Sequence, residues 1–156
     1  MNKILAILTL GFAILSASSI TVNSPLNKLD NYKYETPQGR QMKIPKKTNL
    51  VIVAFEKDTG ALVNNYLKSK NKFYLQKNRS IFIADIHEMP SMVTTMFALP
   101  KLKKYKHLIY LHYKDKFYKN VPYKKDEITL LRFVDGKVSD ISYITSKSEL
   151  QAAIEK

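Results

Sequence analysis

The chain contains 156 residues, with 26 Lys and Arg against 13 Asp and Glu, so its formal charge is +13. It has 10 tyrosines and 7 phenylalanines but neither cysteine nor tryptophan. The absence of cysteine excludes disulfides, a CxxC redox pair, cysteine-ligated zinc, iron–sulfur clusters and a cysteine nucleophile. Hydrophobic residues at 45% and charged residues at 25% are ordinary for a folded chain of one domain.

The N-terminus has the layout of a secretory signal peptide. Lys3 is followed by an apolar run of twelve residues, Ile4 to Leu15, and then by small residues up to Ser19. We therefore predict a signal peptide over residues 1–19, cleaved after Ser18 or Ser19, and an exported protein that is periplasmic or secreted. The run is shorter than the roughly 20 apolar residues that a spanning helix needs, so we expect no transmembrane segment after cleavage.

The first part of the mature chain carries few structural signals. Residues 20–31 include Asn, Ser and Pro25, and we predict a loosely ordered leader there, with a single folded domain over residues 32–156. Short alternating segments on either side of Pro37-Gln38-Gly39 then predict a β-hairpin within residues 32–45.

Two apolar segments predict central strands. Leu50 to Phe55 is an unbroken run rich in β-branched residues, as in a strand covered on both faces, and Ile81 to Ile86 is a second such run. The residues after Phe55 predict a helix whose N-cap is Asp58 or Thr59, because both are good N-caps and apolar residues then recur at helical spacing.

A second helix is predicted to begin at Pro90, and Pro100 is expected to close or kink it. The apolar residues that recur along it are Met92, Val93, Met96, Phe97 and Leu99. Met89, Met92 and Met96 would lie on one helical face near His87, and methionine thioethers can bind Cu(I) in an exported protein. A methionine stripe beside other apolar side chains is more typical of core packing, so we predict that this face is buried.

The C-terminal half predicts further strands, a hairpin and a last helix. An apolar strand at residues 108–111 follows a basic stretch, and residues 128–133 form another. Asp135-Gly136 is a typical two-residue hairpin turn into residues 138–144. Ser146-Lys147-Ser148-Glu149 matches a capping box for the final helix.

This order of elements resembles the thioredoxin-like fold, in the branch of exported thiol-disulfide oxidoreductases and peroxiredoxin-like proteins. Residues 34–45 are similar to that branch's opening strand pair, residues 50–55 to the strand before its active site, and residues 128–138 to its penultimate hairpin. The resemblance covers about residues 32–155. It implies an α/β fold of three layers, in which helices flank a central mixed β-sheet.

The residues that carry redox chemistry in that superfamily are missing from this chain. The family's two cysteines begin the helix after the first central strand, where this chain has Lys57-Asp58-Thr59-Gly60-Ala61. Thr59 cannot replace a thiolate, because oxygen forms no mixed disulfide. The family's cis-proline corresponds to Ile128, for which a trans peptide bond is expected. The resemblance therefore implies the scaffold of a thioredoxin-like protein without thiol-disulfide catalysis.

A scaffold without its thiols suggests binding rather than catalysis. We predict that a partner binds around the former active site, through Glu56, Lys57, Asp58, Thr59 and Ile128, where the start of a helix favours an anion. The expected partner is an unidentified protein or an anionic component of the cell envelope. We predict no catalytic residue, no metal and no cofactor, and an enzyme is the less favoured interpretation.

One alternative from a different class is a flavin-type or other non-thiol oxidoreductase. The four glycines stand at positions 11, 39, 60 and 136, so the GxGxxG pattern of dinucleotide sites cannot occur. A bound flavin would give a coloured protein, which an absorbance spectrum would reveal.

A second alternative is electrostatic binding of an anionic polymer. Residues 101–125 contain nine lysines against one aspartate, interleaved with six tyrosine or phenylalanine residues. Such a segment could bind anionic lipid, polysaccharide or, less favourably, single-stranded nucleic acid. A solvated lysine-rich surface is the simpler interpretation, because arginine is the residue typical of bidentate phosphate sites. The candidate anion-binding residues are Lys101, Lys103, Lys104, Tyr105, Lys106, Lys114 and Lys116.

The three histidines do not predict a metal site. Strand alternation places Asp85 and His87 on one side and Glu88 on the other, which indicates a polar cluster at a loop edge rather than converging ligands. His107 and His112 are five residues apart, so on one strand they would face opposite sides.

Overall fold

The structure is a computed structural model of the chain. It describes residues 19–156, apart from the side chains of Asp115 and Lys116. The predicted signal peptide therefore lies outside the described residues, except for Ser19.

The strands within this described part form one mixed sheet. They are β1 (Tyr34–Glu35), β2 (Gln41–Met42), β3 (Leu50–Ala54), β4 (Ser80–Asp85), β5 (Tyr110–His112), β6 (Ile128–Val134) and β7 (Lys137–Ile144). Their spatial order is β2-β1-β5-β4-β3-β6-β7. β3, β4 and β5 are parallel, while β6 runs antiparallel to β3. The hairpins β1–β2 and β6–β7 form the two edges.

Helices lie on both faces of the sheet. The α-helices are α1 (Lys57–Leu67), α2 (Tyr74–Lys77), α3 (Ser91–Val93), α4 (Leu99–Leu102), α5 (Asp115–Asn120) and α6 (Lys147–Ile154). A 3₁₀ helix (Leu26–Asn31) precedes them, and a π-helix (Thr94–Ala98) joins α3 directly to α4. α3, the π-helix and α4 are continuous in the chain, and we call them together the 91–102 helix.

The two central strands are buried on both faces, as their unbroken apolar sequences predict. Every residue of β3 and of β4 is buried. Because side chains alternate along a strand, Leu50 and Ile52 pack on one face of the sheet while Val51 and Val53 pack on the other.

Two apolar cores result, one on each face. The α1-side core joins the sheet to α1, α2 and α6 through residues such as Val63, Leu75 and Leu150. The α5-side core joins it to α5 and the 3₁₀ helix through Phe117 and Leu29. A mixed sheet between two layers of helices is the predicted three-layer α/β fold.

Residues 20–31 pack against the sheet, which differs from the loosely ordered leader expected there. Ile20, Leu26 and Leu29 are at most 8% exposed and belong to the α5-side core. The Leu26 N–H donates to the Gly136 carbonyl at 2.8 Å, and the Tyr34 hydroxyl donates to the Leu29 carbonyl at 2.9 Å. The apolar side chains of this segment are buried in the core, and their burial orders the segment even though most of its residues are polar.

The 91–102 helix is largely exposed, so the prediction that its apolar stripe is buried is wrong. Met92 is 70% exposed, Met96 61% and Phe97 66%. Near the C-terminal end, Leu99 and Leu102 pack partly buried against the α1-side core. The helical spacing correctly indicated one apolar face, but this face lies mainly in solvent.

The predicted effect of Pro100 appears as an irregular turn rather than as the end of the helix. Proline has no N–H to donate, and its ring displaces the carbonyl one turn earlier. The segment before it is a π-helix, in which the Leu99 N–H donates to the Thr94 carbonyl. This wider turn lets the helix continue past Pro100 to Leu102.

Two local sequence signals are confirmed at the C-terminal end of the chain. Asp135 and Gly136 have φ values of 49° and 73°, as a two-residue hairpin turn between β6 and β7 requires. The Ser146 hydroxyl accepts from the Glu149 N–H at 3.2 Å, and Glu149 Oε2 accepts from the Ser146 N–H at 3.0 Å. Across the described part of the chain, no helix has the length and apolar character needed to span a bilayer.

Candidate functional site

The start of α1 is the place where the resemblance implies an active site. The helix begins at Lys57 with Glu56 as its N-cap, so Asp58 and Thr59 lie inside the first turn and the predicted caps are corrected by two or three residues. The Thr59 hydroxyl accepts from the Glu56 N–H at 3.3 Å and donates to the Glu56 carbonyl at 3.0 Å. Thr59 is therefore a buried structural residue of this turn.

The carboxylate of Glu56 is bound by the loop that precedes β6. Its Oε1 accepts from the Tyr123 hydroxyl at 2.5 Å, and its Oε2 accepts from the Asp126 N–H at 2.8 Å. The hydrogen bond to Glu56, together with desolvation, raises the pKa of Tyr123. A carboxylate of the protein itself thus occupies the position beside the helix start where an external anion was predicted.

The other predicted partner-binding residues do not converge on one surface. Lys57 and Asp58 are exposed at the start of α1. Ile128 is fully buried in the α1-side core, and its peptide bond is trans as expected. Of the predicted set, Glu56 and Lys57 line the cavity described next.

A groove of about 610 Å³ lies beside the N-terminal half of α1. We call it the α1 groove. Its floor is formed by the C-terminal ends of the parallel strands β3 and β4, and its walls by α1 and the 91–102 helix. Ligand sites in open α/β sheets typically lie at this end of parallel strands. The lining includes Ala54, Gly60, Ala61, Ala84, Met89 and Leu102.

Most of the side chains that line the α1 groove are apolar, but each wall carries a lysine. Lys57 stands on the α1 wall and Lys101 on the opposite one. Three carboxylate residues also line it, namely Glu56, Asp85 and Glu88. Glu56 is already hydrogen-bonded to the protein and Asp85 is 4% exposed, so Glu88 is the exposed acid of the lining.

The polar cluster predicted at the end of β4 forms an Asp–His pair. Asp85 Oδ2 lies 3.0 Å from Nδ1 of His87, and Asp85 Oδ1 accepts from the His87 N–H at 3.1 Å. Burial raises the pKa of Asp85. His87 Nε2 lies 3.9 Å from Glu88 Oε1. Among the described residues, no group of three such side chains is arranged to hold a metal ion.

The other two histidines have separate structural partners. His107 Nε2 donates to Asn64 Oδ1 of α1 at 2.8 Å, and burial lowers the pKa of His107 to about 4. The two ring nitrogens of His112 lie 2.9 Å from the carbonyls of Lys33 and Lys114. His107 precedes β5 rather than lying within it, so the alternation expected for one strand does not apply.

The predicted anion-binding residues are divided between three places. Lys101 and Tyr105 line the α1 groove. Lys103, Lys104 and Lys106 are exposed in the turns after the 91–102 helix, and Lys114 is exposed after β5. The side chain of Lys116 lies outside the described residues. The groove itself was missed by sequence reasoning, because no local pattern shows that an apolar helix will stand away from the core.

The fold defined by this sheet and its helices is thioredoxin-like, and the chain contains no cysteine. A putative protein disulfide isomerase from Bacteroides thetaiotaomicron is similar with a TM-score of 0.51 and 12% identity, over 88% of this chain and 86% of that one. StoA from Bacillus subtilis gives 0.48 and 16% identity, over 78% and 94%.

A third structure is a member of the Sco family of cytochrome c oxidase assembly proteins, with a TM-score of 0.40 and 13% identity over 86% of this chain and 98% of that one. Neither a protein-family model nor a curated protein matches the sequence. The fold assignment rests on the Bacteroides structure, whose TM-score is 0.51, and at 12% identity that similarity shows the fold alone.

Proposed function

We propose that the chain is an exported, redox-inactive thioredoxin-like protein that binds an amphiphilic ligand, with an apolar chain and an anionic group, in the α1 groove. The observation that carries this proposal is an apolar groove of about 610 Å³ at the end of β3 and β4 where the resemblance implies the active site. This volume lies within the range of roughly 300–1,000 Å³ that is typical of small-molecule sites.

The lining of the groove supports this ligand chemistry. Apolar side chains from α1, the strand ends and the 91–102 helix would surround the ligand's hydrocarbon part. Lys57 and Lys101, one on each wall, would bind its anionic group at the rim. The carboxylates of Glu56 and Asp85 each already accept a hydrogen bond from the protein. Glu88 is the exposed acid of the lining, so the anionic group would lie next to Lys57 and Lys101 rather than next to Glu88.

A fluorescent probe of the same chemistry can test the groove. We expect anilinonaphthalene sulfonate, which is apolar and anionic, to bind the folded protein at one site. Ala61→Trp, which places a large ring in the groove, should abolish binding. The matched control is Asn65→Trp, an exposed position on the same helix outside the groove, which should bind as the parent does. Equal binding by both variants would refute the proposed site.

The charge and redox parts of the proposal have separate tests. Lys57→Gln combined with Lys101→Gln should weaken probe binding roughly tenfold, in line with the loss of charge-assisted contacts. The purified protein should not reduce insulin disulfides, and reduction would contradict a redox-inactive function. Export would be tested by mass spectrometry of the mature protein, whose first residue should be Ser19 or Ile20.

A further inference from the structure

The 91–102 helix presents a continuous apolar surface to solvent. Met92 and Met96, which are one turn apart, are 70% and 61% exposed. The neighbouring Val93 and Phe97 are 41% and 66% exposed. Large apolar side chains gathered on one exposed face mark an interaction surface, whereas scattered ones need no explanation. We call these four residues the apolar face.

Basic residues outnumber acidic ones around this face. Residues 88–115 contain five lysines against two acidic residues, Glu88 and Asp115. Lys103, Lys104 and Lys106 follow the helix directly and are exposed, and none of the three forms an ion pair with another described residue. Apolar side chains on an exposed helix beside unpaired lysines are the combination found in helices that lie in a membrane interface.

We propose that the 91–102 helix docks the protein onto the surface of a bilayer that contains anionic phospholipid. The apolar face would enter the boundary between headgroups and acyl chains. Lys103, Lys104 and Lys106 would contact the lipid phosphates, whose negative potential attracts basic residues within about a Debye length. A protein partner with an apolar patch would account for the face but not for the three exposed lysines that follow the helix in the chain.

This docking does not depend on the ligand proposed for the α1 groove. Met92, Met96 and the three lysines do not line the groove, so they can be changed while its lining is kept. Val93 and Phe97 belong to both surfaces. The mouth of the groove would therefore adjoin the bilayer, from which an amphiphile could enter it.

Co-sedimentation with vesicles tests the proposal. The protein is used in the form expected after signal cleavage, beginning at Ser19 or Ile20, so that the apolar run at residues 4–15 does not itself bind the vesicles. We expect binding to phosphatidylglycerol-containing vesicles, little binding to pure phosphatidylcholine, and weakening as salt rises from about 0.05 to 0.5 M.

Two sets of variants separate the apolar and charged contributions. Met92→Ser with Met96→Ser should lower vesicle affinity by more than about tenfold, since methylene burial is lost. Reversal of Lys103, Lys104 and Lys106 to Glu should do the same. The matched controls are Phe73→Ser, an apolar residue 51% exposed elsewhere, and reversal of the exposed Lys33, Lys43 and Lys46, which should bind as the parent does.

Three results would overturn the docking proposal. One is no binding to anionic vesicles. Another is binding that the methionine variants leave unchanged, which would indicate attraction of charge alone. The third is a dimer in light scattering that the methionine variants dissociate, with no vesicle binding, which would assign the face to a second copy of the chain. Loss of probe binding in the groove by Ala61→Trp, with vesicle binding retained, would separate the two proposals.

Discussion

Glu56 and Tyr123 are joined by a hydrogen bond of 2.5 Å between the carboxylate at the start of α1 and the phenol in the loop before β6. This contact connects two segments that are 67 residues apart in the chain. It lies where the resemblance implies redox chemistry, and it fixes the loop to the helix instead. The position where the resemblance implies an active site is therefore partly closed by the protein's own side chains, and the α1 groove opens beside it.

A double-mutant cycle should measure this contact. Glu56→Ala removes the acceptor of both Tyr123 and the Asp126 N–H, and we expect it to lower the free energy of unfolding by roughly 1–2 kcal/mol. Tyr123→Phe removes only the hydroxyl, and its coupling to Glu56→Ala should be about 1 kcal/mol in urea denaturation. Tyr118→Phe is the control, because the Tyr118 ring lies next to the Tyr123 ring, and its coupling to Glu56→Ala should be less than about 0.5 kcal/mol. Equal coupling for both tyrosines would contradict the assigned bond.

Glycine at position 60 weakens α1 without a steric need for it. A Cβ added there would meet the Ala54 Cβ at 3.9 Å, which is an ordinary contact. Gly60→Ala should therefore stabilise the protein by roughly 0.5–1 kcal/mol, because alanine is a better helix former. Gly39, with a φ of 84°, is the matched control, and Gly39→Ala should destabilise by a similar amount because the residue needs a left-handed backbone. A loss of stability in Gly60→Ala would count against this packing.

The packed segment before β1 should contribute to stability. Leu29 is fully buried in the α5-side core, so Leu29→Ala should lower the free energy of unfolding by roughly 2–5 kcal/mol. Val22 lies in the same segment but is 53% exposed, and Val22→Ala should change it by less than about 0.5 kcal/mol. If both substitutions changed the free energy of unfolding only slightly, the segment would be a loosely ordered leader, as its sequence predicts.

Sequence patterns predicted the elements that depend on neighbouring residues. The central strands followed from unbroken β-branched runs, and the Asp135-Gly136 turn from residues that tolerate positive φ. The capping box of Ser146 and Glu149 is similarly local. Together with the order of elements, these signals supported the resemblance to the thioredoxin-like fold.

The candidate site depends on contacts that no short pattern contains. The spacing of Met92 and Met96 predicts that they share a helix face, but it does not say whether that face meets the core or solvent. The bond between Glu56 and Tyr123 joins distant segments, so neither residue alone indicates it. A cue was present for Leu26 and Leu29, whose spacing of three residues suits one helical face, but the polar residues around them obscured it.

His107 should make the stability of the fold fall in weakly acidic solution. Its imidazole is buried against Asn64 and the Tyr105 ring, and burial lowers its pKa from 6.5 to about 4. Between these values the unfolded chain binds a proton that the folded protein does not, so stability is fully present above pH 6.5 and is lost as pH falls towards about 4. The loss in the free energy of unfolding due to this residue should be roughly 1–3 kcal/mol.

The variant His107→Gln tests this prediction, because glutamine keeps a donor for Asn64 but does not titrate in this range. Urea unfolding at pH 7.5, about 5.5 and about 4.5 should show a smaller decrease in the free energy of unfolding for the variant than for the parent. Identical decreases would mean that other groups cause the acid sensitivity and that His107 is not protected from protonation in the folded protein.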